Sequence, residues 1–283
     1  MNSLDNSFEK SFAAGEGAAW SFSGPCPEVQ ISGSVYSRCV IIGAAPAPSG
    51  AELIRASDLV AVCDGGLKYA LSKHIRFSLL TGDFDSFDGD LPEGGYRFVR
   101  LVPEKDDTDT EHAVKLLLAK GFRSFLMLGA AGGRTDHFLG NLALGRRIAM
   151  AGGNCVITGP AVSSTAGTAP CSPASPPMLY GIPAREIFFI FSGATLSLAP
   201  IPDAYVSIFP LSGALHGVTL SGFKYPAADQ TFTGDNTLGV SNEFLPCSDA
   251  PAGPSAGARR FAQIRVNKGV ALVSVLLKDS ANG

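Results

Sequence analysis

No stretch of this 283-residue chain carries the ~18 to 20 consecutive apolar residues that a membrane-spanning helix needs. Its opening, MNSLDNSFEK, is polar and acidic where a secretory leader is basic and then apolar. A soluble, cytoplasmic protein with no membrane partner is the expectation. Basic charge is also scarce: 22 Lys and Arg face 25 Asp and Glu, a formal net charge of -3. That argues against the basic stripe or strongly basic domain of a nucleic-acid binder, and a small-molecule partner fits better. The six cysteines, Cys26, Cys39, Cys63, Cys155, Cys171 and Cys247, include no CxxC pair. Neither a zinc site nor a disulfide framework is indicated, and a reducing compartment follows. The common nucleotide signatures are missing too: there is no Walker A GxxxxGK[ST], no GxGxxG at a first βα turn, and no kinase HRD or DFG set. Nothing repeats at a fixed period.

What is present is an alternation. Residues 1–34 lack periodicity and are rich in Ser, Gly and Ala, so they read as a loosely ordered extension. Over residues 35–159, β-branched or aromatic runs (RCVIIGA, DLVAVCD, FSLLTGD, YRFVRLV, FRSFLMLGA and NCVITG) alternate with helical patterns, the signature of βα units building a parallel sheet. The helical patterns lie near Ala51 to Ala56, Gly66 to Lys73, Asp109 to Lys120 and His137 to Ala151. The third has readable ends: Thr108 and Glu111 have capping-box spacing and Gly121 is placed as a C′ residue, which puts Asp109 in the first turn. Residues 160–184 are Pro-, Ser- and Ala-rich and read as an insertion or linker. Residues 185–279 become short strands between Gly, Pro and Asn turns, interrupted near 246–258 by PCSDAPAGPSAGA. The expected fold class is α/β: an N-terminal Rossmann-like parallel-sheet catalytic domain followed by a C-terminal all-β sandwich domain.

Four polar clusters follow predicted strands at their carboxyl ends, where open parallel sheets place ligands. They are Asp64-Gly65-Gly66, Gly82-Asp83-Phe84-Asp85-Ser86, Lys105-Asp106-Asp107-Thr108-Asp109 and Gly132-Gly133-Arg134-Thr135-Asp136-His137. In GDFDS two carboxylates one residue apart project the same way if the segment stays extended, so both can reach one hard cation. Magnesium suits such a set, together with Asp109, water and phosphate oxygens. The two glycines after Asp64 allow close backbone approach to a ligand. Each cluster also has a plain reading: GDFDS as a polar turn, Asp64 as a helix N-cap, Lys105 to Asp109 as a solvated helix start. Arg134 is the natural phosphate clamp, being permanently charged and able to grip oxygens bidentately. His137 reads as a structural residue.

In order and spacing these clusters resemble the thiamine pyrophosphokinase family. Its pattern is an Asp-Gly-Gly after a strand, GDxDS, a K/Q-D-x-T-D stretch entering a helix, and GGRxDH with an Asn, here Asn141, a few residues on. PLSGALHGVTLSGFKYP at 210–226 and GVSNEF at 239–244 resemble the family's thiamine-side segments. The resemblance covers roughly residues 37–279 apart from the two insertions. It implies an α/β catalytic domain joined to a β-sandwich, an active site between subunits of a homodimer, and transfer of the pyrophosphoryl group of ATP to the hydroxyl of thiamine with release of AMP. It further implies that Asp83, Asp85 and Asp109 bind Mg²⁺ with Asp64 and Asp106 nearby, that Lys105 and Arg134 hold ATP phosphates, and that Asp136, Ser241 and Asn242 contact the aminopyrimidine of thiamine. Attack at phosphorus asks for positioning and charge neutralisation more than covalent help from the protein, which agrees with such a set. Asp109 is the candidate general base. Two other readings stay open: a non-catalytic nucleotide or thiamine sensor, against which the intact acidic motifs weigh, and a diphosphotransferase acting on another primary alcohol such as a pterin, against which KYP and GVSNEF weigh.

Overall fold

The computed structural model describes residues 20–23, 27–31, 34–82, 91–92, 96–100, 107–162, 178–246 and 261–278. The N-terminal half runs β1 (Trp20–Phe22), β2 (Val29–Ile31), β3 (Ser34–Tyr36), β4 (Arg38–Ile42), β5 (Asp58–Cys63), α1 (Gly66–Ser72), β6 (Leu79–Gly82), β7 (Arg97–Arg100), α2 (Asp109–Ala119), β8 (Ser124–Leu128), α3 (Thr135–Met150) and β9 (Asn154–Thr158). The C-terminal half adds β10 (Glu186–Ser192), β11 (Thr195–Leu198), β12 (Ala204–Pro210), β13 (Ala214–Ser221), β14 (Ala227–Thr233), β15 (Asn242–Glu243), β16 (Ala262–Arg265) and β17 (Val270–Leu277). Among the described residues no helix is long and apolar enough to cross a membrane.

Ten of these strands form one sheet in the order β15-β12-β17-β10-β9-β8-β4-β5-β6-β7. From β9 to β7 every pairing is parallel. Strands β4 and β5 are buried along their whole length, as apolar runs covered on both faces must be. From β9 outward the pairings turn antiparallel, β10 lying against β9 and β17, and β12 against β17 and β15. One sheet therefore continues from the α/β region into the β-rich region, and the expected boundary at 159–185 falls between two adjacent, hydrogen-bonded strands. The physical reason lies in β10: its central residues Ile187 to Phe191 are all buried, and such a strand is stable only with partners on both edges and cover on both faces.

A second, antiparallel sheet of order β1-β11-β16-β13-β14 packs against one face of the large sheet, sharing a core with α1. Helices α2 and α3 cover the other face. Two segments expected to lie outside the packed structure join this core. Trp20 in β1 is 1% exposed, pairs in register with Leu198 and meets the rings of Tyr180 and Phe189 edge-on, so part of the N-terminal extension is an edge strand. At the far end of the 160–184 insertion Leu179, Tyr180, Ile182 and Ala184 are buried.

The ends of α2 form as their residues dictate. The Thr108 hydroxyl accepts from the Glu111 amide at 3.1 Å. Gly121 takes φ 99°, and the amides of Gly121 and Phe122 donate to the carbonyls of Leu118 and Leu117, a Schellman closure that only a residue at ease in the left-handed region permits. Arg38 and Asp58 tie the amino ends of β4 and β5 together with a buried ion pair; Arg38 also donates to the Leu53 carbonyl, and Asp58 accepts from the Arg55 amide.

Candidate active site

The carboxyl ends of the parallel strands share one edge, and the chain reverses its direction of travel across the sheet between β4 and β8. It first steps outward through β5, β6 and β7, then returns to lay β8 on the opposite side of β4. A crevice opens at such a switch point. Here it is a cleft of ≈ 330 Å³ between the loop 43–48, which follows β4, and the α1 side chains Lys68, Tyr69 and Ser72. The loop is fastened at its far end: the Ser49 hydroxyl donates to the Gly159 carbonyl at 2.7 Å, and the Thr158 hydroxyl donates to the Ser49 carbonyl at 2.8 Å. Burial, aided by the negative charge of Glu52, raises the Tyr69 phenol above its ordinary range, so it stays a neutral wall. This loop was not among the sequence candidates because its Gly, Ala and Pro residues carry no side-chain chemistry. The signal was its position after the first strand of the parallel series.

Asp64 sits where β5 turns into α1, with φ 39°, a left-handed conformation that Asp tolerates better than most residues. Its amide donates to the Thr81 carbonyl and its carbonyl accepts from Leu67. Of the two following glycines, Gly65 lines the cleft and Gly66 has a packing role. A Cβ on Gly66 would lie 2.4 Å from the Ile42 carbonyl oxygen, so this glycine lets α1 pack directly against the end of β4.

Asp109 begins α2, and the Cys63 thiol, the residue before Asp64, lies 3.7 Å from the Asp109 carbonyl as donor to it. The start of α2 is thereby held over the end of β5. Neighbouring Asp107 is occupied: both carboxylate oxygens accept from Lys115, at 2.6 and 2.7 Å, which holds its carboxyl below the usual carboxylate range. Asp83, Asp85, Lys105 and Asp106 lie outside the described residues.

The loop after β8 carries Gly132 and Gly133 at φ 89° and 69°. A Cβ on Gly133 would meet Pro46 at 2.7 Å, so this turn packs on the wall of the cleft and delivers Arg134 to the start of α3. Arg134 grips Asp136 through Nε (3.1 Å) and Nη2 (2.6 Å). The guanidinium's hydrogen bonds hold the Asp136 carboxyl below its usual range. At 73% and 63% side-chain exposure the pair adds little to stability, and three of the guanidinium's five N–H donors are left over from it. Asn141 donates to the Ala130 carbonyl at 2.8 Å, bracing the same loop, and His137 is exposed beside it.

Asp64 follows β5 and Asp109 begins α2, so two residues of the type that donates oxygen to a hard divalent cation stand at adjacent strand and helix ends. No cluster of three or more His, Cys, Asp or Glu that could hold a metal ion occurs among the described residues.

Ser241 and Asn242 are elsewhere. They precede and begin β15, at the opposite margin of the large sheet. Seven strand spacings separate β15 from β5, on the order of 34 Å at ~4.8 Å each. Within one chain Ser241 and Asn242 are therefore not brought to Asp64 and Asp109, whereas Asp136, also expected on the thiamine side, is at their edge of the sheet.

Fold and site together define an α/β protein with a candidate ligand site at the carboxyl edge of its parallel strands, the edge that carries Asp64, Asp109 and Arg134. Residues 51–157 match the model of the thiamin pyrophosphokinase catalytic domain and residues 195–250 that of the thiamin pyrophosphokinase vitamin B1 binding domain. Thiamine pyrophosphokinase of Bacillus subtilis (strain 168) is 30% identical over 181 residues, covering 58% of this chain and 68% of that protein. The crystal structure of a Bacillus subtilis thiamine pyrophosphokinase superposes with a TM-score of 0.62 at 20% identity, over 85% of this chain and 98% of that one. That of Geobacillus thermodenitrificans gives 0.60 at 22%, over 86% and 99%. The Candida albicans enzyme gives 0.56 at 11%, over 85% and 89%, a likeness of fold. The chain belongs to the thiamine pyrophosphokinase family.

Proposed function

We propose that this chain transfers the pyrophosphoryl group of ATP to the hydroxyl of thiamine, giving thiamine diphosphate and AMP. The observation that carries this reading is the meeting, at one sheet edge beside a cleft, of Asp64, Asp109 and the Arg134–Asp136 pair, in a chain whose family is named for that reaction. Residues 35–159, as a Rossmann-like unit, would supply the ATP side and residues 185–279 the thiamine side, with 1–34, 160–184 and the stretch near 246–258 as additions.

In this reading the cleft beside Lys68 takes the nucleoside end of ATP, and Lys105, Asp106 and Arg134 lie along its phosphates. Asp83, Asp85 and Asp109 would hold Mg²⁺, which when bound neutralises phosphate charge and draws electron density from phosphorus. The thiamine hydroxyl oxygen forms a bond to the β-phosphorus as the bond from that phosphorus to the α–β bridging oxygen breaks, and AMP leaves with that oxygen. Asp109 receives the hydroxyl proton. Arg134 turns its remaining donors to the transferring oxygens, and Asp136 and Ser241 orient the aminopyrimidine.

A homodimer follows from the same reasoning. With ~34 Å between β5 and β15 in one chain, Ser241 of one subunit can complete the site only of another, so the reading calls for a cytoplasmic dimer with shared sites. The test is direct: purified protein with ATP, Mg²⁺ and thiamine is expected to release thiamine diphosphate and AMP in equal amounts. ADP with thiamine monophosphate would overturn the reaction. Light scattering showing only monomer at assay concentration would overturn the shared site.

A further inference from the structure

Ser241 and Asn242 are neighbours in sequence, yet the backbone sends them opposite ways. Ser241 is exposed, in the left-handed region at φ 58°, with its amide donating to the Ser207 hydroxyl at 3.0 Å. Asn242 is 6% exposed. Its Oδ1 accepts from the Tyr225 amide at 3.0 Å and from the Glu243 amide at 2.9 Å, and its Nδ2 donates to the Tyr225 carbonyl at 2.8 Å. Both acceptor positions and one donor hydrogen of the amide are thus spent on the chain itself.

The two bonds to Tyr225 help close a small ribbon between residues 222–225 and 242–245. In it the Lys224 amide donates to the Glu243 carbonyl (2.9 Å), the Leu245 amide donates to the Gly222 carbonyl (3.0 Å), and the rings of Phe223 and Phe244 stack at 5.4 Å. On the outside of this ribbon stand Ser241 and Tyr225, the latter 59% exposed. Lys224 reaches back to the Glu243 carboxylate at 3.0 Å, so its charge is tied down as well.

We propose that Asn242 is a positioning residue: its amide locks the 222–225 turn to the start of β15 before any ligand arrives, and Ser241 alone of the pair presents a side chain to substrate. This rests on the thiamine reading above. Asn suits the role because one short side chain offers an acceptor and a donor side by side, matching the amide and carbonyl of a single residue, here Tyr225. Leaving these backbone groups unpaired would loosen the turn and spread Ser241 and Tyr225 over several positions.

The experiment combines amide hydrogen exchange by NMR with steady-state kinetics on the full chain. In the ligand-free wild type the Tyr225 and Glu243 amides are expected to be protected, and thiamine adds little. Asn242→Ala abolishes that protection and raises KM for thiamine about tenfold, leaving kcat and KM for ATP within about twofold. Ser241→Ala also raises KM for thiamine but leaves both amides protected, which separates contact from positioning. Should the alanine variant not fold, Asn242→Leu, which keeps the side-chain bulk and loses the acceptor and the donor alike, carries the same comparison. Unprotected amides that become protected only on adding thiamine, or an Asn242 variant with normal KM for thiamine, overturn the proposal. A wild type that makes no thiamine diphosphate removes the reaction reading instead, and the exchange measurement then still decides whether the clamp exists.

Discussion

Replacing Gly66 by Ala tests the link between close packing and the site. The added Cβ would lie 2.4 Å from the Ile42 oxygen and 2.9 Å from the Gly43 oxygen, both backbone atoms that cannot swing aside. A carbon and an oxygen in contact sit at ~3.3 Å or more, so α1 must withdraw by about 0.9 Å from the end of β4. Overpacking of this kind costs ~1 to 3 kcal/mol, offset by up to ~1 kcal/mol from the better helix propensity of Ala. In a chain of this size the upper end of that range lowers Tm by roughly 4 to 8 °C. The activity loss should be larger than the stability loss. Asp64 closes the first turn of α1 through its carbonyl, and Lys68 and Tyr69 on that helix line the cleft. A displacement near 1 Å at such a site costs on the order of 10²-fold. Gly65→Ala is the comparison: Gly65 lines the cleft, and its Cβ meets only Ala44, 3.0 Å from that residue's Cβ, in an ordinary helical conformation. Thermal unfolding and kcat/KM for ATP measure both effects. If Gly66→Ala keeps its Tm and its kcat/KM, or if both variants raise KM for ATP alike with no change in Tm, the packing argument fails and close approach to a ligand explains the glycines.

Thr108→Ala removes the side-chain acceptor at the start of α2 and should cost ~1 kcal/mol in chemical denaturation, with a loss under ~0.3 kcal/mol counting against the cap. Arg38→Met strands the buried Asp58 carboxylate and should cost ~3 to 5 kcal/mol, most of it regained in the double variant with Asp58→Leu; an additive double variant would contradict the pairing. Glu186 is held above the usual carboxylate range by burial, opposed by the Ser274 hydroxyl that donates to it. Its folded-state value lies above the unfolded one of about 4.3, so its contribution is fully present below that pH and is lost as pH rises through the folded value. Glu186→Gln removes this loss, and its Tm advantage over wild type should be larger at pH 8 than at pH 4; a constant difference would refute the sign.

Local chemistry made much of this molecule readable. A capping box before a periodic run and a glycine after it locate α2 because helix ends have unpaired amides and carbonyls that few residues satisfy. Acidic and glycine-rich clusters after apolar runs locate Asp64, Asp109 and Arg134 because a parallel sheet presents its strand ends together. Strand β14 escaped detection: of AADQTFT only Ala227 and Phe232 are buried, so an edge strand showed no alternation.

What the sequence by itself determined was the set of elements and the identity of the polar groups at their ends, since these depend on neighbours a few residues away. Tertiary structure alone decided which partners those groups take. It set Arg134 on Asp136 and Asp107 on Lys115, turned Asn242 inward while Ser241 faces out, and joined Trp20 to Leu198 across 178 positions of chain. Each of these choices is made by the register between elements distant in sequence or by the rotation of a turn, and both are settled by packing the whole core at once.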